Sequence, residues 1–281
     1  MSVKVVTDSL SDITSDMAEG LGITVVPLTV SFGKESFLDR ITITTDEFYH
    51  KLTTDPNWPI TTQPPPGDFV NVYNKLAEET DEILVITLSS KLSGTYESAL
   101  NAKSMLEREC RVEVIDSLTV AMALGLIVIT AAKAAQAGAK LDELVALVRR
   151  AMSRSHLIAY FDTLKYLAKG GRIGKAQALL GSVLNVKPML TIKDGELVPA
   201  GRVRNRTMGI DRLFDFVKNA VDVQDLAIVY NTTPDEALAL AGRMGSLFPE
   251  EKIRLARLGP ALGVHGGPGI LFVSLRGGTL T

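Results

Sequence analysis

The sequence predicts an α/β fold of two α/β domains with mainly parallel sheets. Short Val/Ile/Leu-rich runs alternate with helical segments along the chain, the pattern of strands joined by crossover helices. Several of the runs are continuous rather than alternating, as in strands covered on both faces. The chain has 281 residues, which at roughly 150 residues per domain makes two domains.

Taken in order, Val3–Val6, Ile23–Val30, Ile83–Leu88 and Val112–Ile115 read as strands of the first domain. Asp68–Glu79 reads as a helix after Pro66-Gly67, and Thr95–Glu109 as one after Ser93-Gly94. Leu118–Ala137 follows the turn residues Asp116-Ser117, and Ala139–Ser153 follows Gly138; each start carries a capping or breaking residue. The segment from Asn57 to Gly67 holds Pro59, Pro64, Pro65 and Pro66. That proline density predicts a stiff loop, because proline lacks the N–H that helices and central strands need. The second domain is expected to contain strands at Leu157–Phe161, Val186–Ile192, Leu226–Tyr230, Ile253–Leu258 and Ile270–Leu275, with helices at Met208–Val221 and Pro234–Gly245. The boundary falls at Ser153–His156, where a long helical stretch gives way to a strand, dividing the chain into 1–154 and 155–281.

Lys and Arg total 30 against 32 Asp and Glu, a formal net charge of -2, which gives no electrostatic ground for nucleic acid as partner. A single cysteine, Cys110, excludes an intramolecular disulfide framework and fits a reducing cytoplasm. The start MSVKVVTDSL has too short an apolar run for a signal peptide. The longest uncharged stretch, Leu118–Ala132, falls short of the roughly 20 residues that span a bilayer. A cytoplasmic protein without stable membrane insertion is expected.

Familiar catalytic patterns fail residue by residue. His50, His156 and His265 form no HExxH and no Cys/His cluster, so no metal site is expected. Lys169–Lys175, reading KGGRIGK, departs from a phosphate loop because Lys169 stands where the leading glycine belongs and Ala176 follows Lys175. No G-x-S-x-G elbow occurs. No cofactor and no catalytic residue is assigned.

What remains is a set of polar loops at strand ends and helix starts. Thr7-Asp8-Ser9, with Asp12 following, reads as turn and cap or as a site element. Thr61-Thr62-Gln63 places two hydroxyls on a stiff backbone, suited to an anion or simply to solvent. Ser89–Thr95 sits at the carboxyl end of a strand and the start of a helix, where open α/β sheets take ligands and free N–H groups favour anions. Arg172, inside the glycine-rich stretch, offers a planar fork for a carboxylate or phosphate. Gly259–Gly269 surrounds His265 with five glycines and two prolines. Donors and cations without a nucleophile–base pair suit holding an acid group better than breaking a bond.

Together these segments resemble the DegV family of bacterial fatty-acid-binding proteins. The resemblance runs through nearly the whole chain: TDS at 7–9, TTQPPPG at 61–67, SSKLSGTY at 89–96, VIDS at 114–117, LKYLAKGGRIGK at 164–175, LLGSVLNVKPML at 179–190 and GVHGGPG at 263–269. It implies a DegV-like pair of α/β domains with an apolar lipid tunnel near the domain junction. It implies one long-chain fatty acid bound there as an acyl carrier, presented to a separate fatty acid kinase for phospholipid synthesis. A lipid-sensing regulator and an acyl hydrolase are the alternatives. The resemblance places Thr61 and Ser93 on the carboxylate, Arg172 and His265 in the surrounding network, and Thr62 beside them where the family usually has serine. Val264 replaces a threonine common before the histidine. Gly201–Ile210 keeps Arg202, Arg204 and Arg206 but lacks the family's following lysines, so Arg204 and Arg206 are the expected partner-docking residues. Physically, a buried carboxylate needs such donors to stay ionised. A sixteen-carbon chain, at about 0.8 kcal/mol per buried CH₂, contributes on the order of 10 kcal/mol before ordering costs.

Overall fold

The computed structural model describes residues 2–180 and 186–277. Within the motif at 179–190, residues 181–185 therefore lie outside the described residues. The first half runs β1 (Lys4–Asp8), α1 (Ser15–Leu21), β2 (Ile23–Val26), β3 (Thr29–Phe32), β4 (Glu35–Leu38), α2 (Thr45–Thr54), β5 (Ile60–Thr62), α3 (Pro66–Leu76), β6 (Glu82–Thr87), α4 (Thr95–Lys103), β7 (Arg111–Asp116), α5 (Ala121–Gln136) and α6 (Leu141–Met152). The second runs β8 (Ser155–Tyr160), α7 (Lys165–Lys169), β9 (Lys187–Lys193), β10 (Glu196–Val203), α8 (Arg206–Lys218), β11 (Val223–Tyr230), α9 (Pro234–Met244), β12 (Ile253–Arg257), α10 (Pro260–Gly266) and β13 (Leu271–Gly277).

Three sheets result. The first, in the order β2-β1-β6-β7, is parallel throughout. Its central strands are continuous buried runs such as Ile83–Ile86, each at 0% exposure, as the sequence predicts for strands sandwiched between helices. The second sheet has the order β10-β9-β8-β13-β11-β12. Here the mainly parallel pairing expected from the sequence gives way to a mixed sheet, in which only β11 and β12 pair in parallel. The reason is local. Asp194-Gly195, both at positive φ, make a two-residue turn of the kind that joins antiparallel strands, and β13 enters between β8 and β11 from the opposite end.

The third sheet, β4-β3-β5, is small and antiparallel. It corrects two expectations. Pro27 divides the single strand predicted at Ile23–Val30 into β2 and β3, since a proline cannot donate within a central strand. The proline-rich segment read as a loop contains β5, a three-residue edge strand that Pro59 and Pro64 bracket. Helix α4 also ends earlier than Glu109, at Lys103, where the Ser104 hydroxyl bonds back to the Asn101 carbonyl.

The sheets divide the chain between α6 and β8, but the apolar core does not. One buried cluster joins Leu84 and Ile86 of the first sheet to Ala159, Phe272 and Val229 of the second through α5. From Ala121 to Ile129 helix α5 is apolar on all sides, with Leu124, Leu126, Ile127 and Val128 fully buried, the signature of a helix packed between layers. Helix α10 belongs to the second half by sequence yet packs on α2, β3 and β5 of the first. These crossings set the site described next.

Candidate functional site: a polar mouth on an apolar cavity

A cavity of about 1030 Å³, including its open mouth, lies where the two halves meet. Its walls are mostly aliphatic: Leu10, Leu28 and Leu88 from the first half, with Leu157, Ile192 and Leu258 from the second. Two rings, Phe161 and Phe272, complete the apolar part. Ala121, also in the wall, sits at φ 60, a strained conformation for a residue with a Cβ and one that clusters at functional sites.

The polar residues gather at one part of this wall. Thr61 stands on β5, paired with Val30 of β3, and its Oγ1 lies 2.9 Å from Nε2 of His265. Ser93 occupies the turn before α4; its hydroxyl lies 2.9 Å from the Thr95 hydroxyl and accepts from the Thr95 N–H at 3.4 Å. Arg172 comes from the glycine-rich stretch after α7. Its Nη1 donates to the Gly170 carbonyl at 2.8 Å and its Nε to the Leu92 carbonyl at 3.3 Å. That second bond pins Arg172, from the second half, beside the Ser93 turn of the first. Thr62 borders the same cavity but is exposed; strand alternation puts its side chain on the face opposite Thr61's.

Burial and, next, the neighbouring Arg172 cation push His265 down to about 4. The ring is therefore neutral near pH 7, and it shares one proton with Thr61 through Nε2. Its Nδ1 is buried and finds no hydrogen-bond partner among the described residues. Gly170 explains how the ring fits: a Cβ there would stand 2.3 Å from Nδ1. The glycine-rich stretch thus supplies close approach to the imidazole as well as the arginine.

All five residues expected at the carboxylate, Thr61, Thr62, Ser93, Arg172 and His265, line this one cavity. Gln63 lines it too and was quoted in the sequence motif without being assigned a role. Sequence reasoning missed the Leu92 carbonyl, since a backbone acceptor leaves no residue-type signal. Trp58, outside the cavity lining, stacks on Tyr166 at 4.9 Å with the Lys169 ammonium 3.8 Å from its ring centre. The two arginines expected to dock a partner separate. Arg204 is exposed. Arg206 is held internally: Nε and Nη2 pair with Glu236 at 2.5–2.8 Å, and Nη1 reaches Asp162 at 3.1 Å and the Gly269 carbonyl at 2.8 Å. No helix among the described residues is long and apolar enough to cross a membrane.

Two α/β halves closing on an apolar cavity with a hydroxyl, imidazole and guanidinium mouth define a small-ligand-binding protein of mixed α/β architecture. The comparisons give the family. A family model described as "Uncharacterised protein, DegV family" matches residues 2–276, and the chain belongs to the DegV family. A DegV domain-containing protein of Caldanaerobacter subterraneus subsp. tengcongensis is 37% identical over 269 residues, 95% of each chain. Among solved structures, a DegV-family protein of Thermus thermophilus described by its fatty acid binding superposes with a TM-score of 0.91 at 32% identity, over 99% of this chain and 100% of that one. DegV of Bacillus subtilis, described as a fatty acid binding protein, gives 0.89 at 28% identity, over 99% of both chains. A stearic acid-binding protein of Eubacterium ventriosum gives 0.87 at 26%, over 98% of both.

Proposed function

We propose that this protein binds one long-chain fatty acid, with the carboxylate at the Thr61–Ser93–Arg172–His265 mouth and the acyl chain in the cavity. The observation that carries this reading is the polarity of that single cavity, aliphatic along its walls and donor-rich at one place. The Ser93 and Thr61 hydroxyls each have a proton to give, and Arg172 supplies positive charge beside them. Charge-assisted bonds of this kind keep a carboxylate ionised on leaving water. The solved relatives described as fatty acid binding proteins support the same reading.

The protein acts as an acyl carrier in the cytoplasm, handing its bound acid to a separate fatty acid kinase that activates it for phospholipid synthesis. Exposed Arg204, and Arg206 through its hold on the start of α8, serve the docking of that partner. Domains 1–154 and 155–281 close over the ligand. Native protein extracted and analysed by mass spectrometry should yield a fatty acid, and lipid-free protein should take up palmitate or oleate. Neither lipid in the extract nor uptake of either acid would sink the reading.

One observation favours a second reading, acyl hydrolysis: a threonine hydroxyl 2.9 Å from a neutral imidazole has the form of a nucleophile and base. The imidazole lacks the third group that orients such a base, since Nδ1 has no partner among the described residues. Hydrolysis of an acyl thioester that disappears in His265→Ala would restore this reading; a lipid-sensing regulator would instead change partner on loading.

A further inference from the structure

Three carboxylates of the first half, Asp8, Asp12 and Asp39, are at most 2% exposed and have no place in the ligand reading above. Asp8 is occupied within its own half, accepting from the Leu10 N–H at 3.0 Å and the Leu88 N–H at 2.7 Å. The other two reach across the junction. Asp39 accepts from the Ser9 hydroxyl at 2.6 Å through one oxygen and from the Ala261 N–H at 3.2 Å through the other. Asp12 accepts from Arg40 Nη2 at 2.6 Å and from the Gly259 N–H at 3.0 Å with a single oxygen. Arg40 Nη2 also donates to the Arg257 carbonyl at 2.6 Å. A Cβ on Gly259 would lie 2.6 Å from Arg40 Nε, so the chain passes directly against the guanidinium there.

These bonds converge on residues 257–261, the entry to α10. That helix has seven residues, far too few to hold its shape or place unaided. Its far end is tied by Asn231, whose amide donates to the Gly267 carbonyl. His265 lies on this helix, four residues beyond Ala261, and meets Thr61 at 2.9 Å. Thr61 belongs to the same half as the three acids. Asp12 and Asp39 therefore fasten to their own half the helix that carries the imidazole.

We propose that Asp39, supported by Asp12 and Arg40, is a positioning residue for His265: it holds the first turn of α10 so that the imidazole meets Thr61 at the cavity mouth. Asp39 touches no ligand and acts through the helix. The tie to α10 needs one acceptor rather than a charge, since the partner there is a neutral N–H. An asparagine keeps the tie to α10, its oxygen accepting from the Ala261 N–H, while its amide donates to the Ser9 oxygen in place of accepting from it. An alanine leaves the helix entry untied.

The inference rests on the fatty-acid reading for one of its two measurements. Palmitate affinity of wild type, Asp39→Ala and Asp39→Asn is measured, each also in a His265→Ala background. In parallel the imidazole titration of His265 is followed by NMR in the ligand-free proteins. Asp39→Ala is expected to lower affinity about tenfold, equivalent to about 1.4 kcal/mol, and Asp39→Asn to stay within about twofold. In the His265→Ala background the alanine effect should shrink to less than about twofold, since two residues acting as a unit are not additive. The His265 titration should rise from about 4 toward the ordinary 6.5 in Asp39→Ala, as the ring gains water. A full tenfold loss in the His265→Ala background overturns the proposal, as does an unmoved titration in folded Asp39→Ala. Should the alanine variant fail to fold, a folded Asp39→Asn with tenfold weaker binding overturns it equally. Wild type that takes up no palmitate defeats the fatty-acid reading alone, and the titration then decides the role of Asp39.

Discussion

Thr61 Oγ1 and His265 Nε2 stand 2.9 Å apart across 204 residues of sequence. Neither residue lies near the other along the chain, and each is delivered by a different half: Thr61 by a three-residue edge strand, His265 by the short helix α10. The pair closes the circuit of donors at the cavity mouth, and its geometry carries the first prediction. Thr61→Val removes the hydroxyl while keeping the branched shape. Loss of a hydrogen bond to a charged group weakens binding by roughly 1.5–3 kcal/mol, so palmitate should bind about ten- to a hundredfold less tightly. Thr61→Val combined with Ser93→Ala should lose more than either alone. Isothermal titration with palmitate checks both, and wild-type affinity in the double variant would remove these residues from the site.

The buried acids govern a second prediction, concerning stability and pH. Burial, opposed by backbone N–H donors, pushes Asp8 up to about 7. Burial against the pull of Arg40 pushes Asp12 up to about 6. Asp39 is raised as well, by burial. A carboxyl with a raised folded pKa binds more protons folded than unfolded above the ordinary 3.8. Its contribution to stability is complete below that value and lost as pH rises through the folded value. His265, lowered to about 4, has the opposite sign: its contribution is present above 6.5 and lost as pH falls through 4. The two oppose each other between pH 4 and 6.5; above that Asp12, at about 6, is ionised folded and unfolded alike, while Asp8 still titrates, up to about 7. Urea unfolding should therefore show stability decreasing from pH 6.5 through 7 and levelling off above, by at most about 1.4 kcal/mol per pH unit for each proton released. Asp8→Asn should flatten that slope even though it lowers stability overall. An equally steep slope in the variant would count against Asp8.

Arg206 and Arg204 allow stability and partner docking to be told apart. Arg206 holds Glu236 and Asp162 and lies over the Tyr160 ring, with a quarter of its side chain exposed. Arg206→Ala leaves Glu236 without its cation and Asp162 with Lys187 alone. Breaking a fully buried pair costs about 3–5 kcal/mol, and partial exposure lowers this to roughly 2 kcal/mol. Arg204→Ala, at an exposed position, should change stability by less than about 0.5 kcal/mol. Thermal melts of the two variants check this, and equal melting shifts would contradict it.

The sequence and the structure agree best where chemistry is written in residue types. Continuous Val/Ile/Leu runs made the strands of the first sheet legible, and hydroxyls, arginine and histidine in glycine-bounded loops made the mouth legible. Pairing direction was not: β8 and β13 look like parallel strands in sequence, and only the turn at Asp194-Gly195 hinted at an antiparallel neighbour. The short elements were also hidden. Thr44 and Glu47 form a complete capping box at the start of α2, a pattern present in the letters TTDE but easily passed over beside weak periodicity. Asp39 and Asp12 could be read only as polar residues near turns, because their partners, Ala261 and Gly259, are backbone N–H groups more than 200 positions away.

The last prediction concerns chain length and rests on strand register. Leu157, Ala159 and Phe161 line the cavity from one face of the second sheet, since alternate residues share a face. In β13 the matching positions are Phe272, opposite Ala159, and Ser274, opposite Leu157. Phe161 follows β8 on the side that leads through α7 to Arg172, and the proposed acyl path runs from there along β8. Each two-residue step from there takes the wall roughly 6–7 Å deeper, first to Ala159 and then to Leu157. The methyl of Ala159 leaves room over the Phe272 ring that a larger side chain would fill. Ala159→Leu adds about three carbons of volume in the path of the acyl chain, while the strand keeps an apolar residue of ordinary size. Saturated acids of twelve to eighteen carbons should then change order, the longest losing affinity by about 0.8 kcal/mol for each methylene that no longer fits. Acids short enough to end before Ala159 should bind as before, because the substitution leaves the proposed carboxylate contacts at Thr61 and Ser93 untouched. Leu157→Ala should shift preference the other way, toward longer chains. Identical affinity profiles for wild type and Ala159→Leu across the series would show that the acyl chain follows another wall of the cavity.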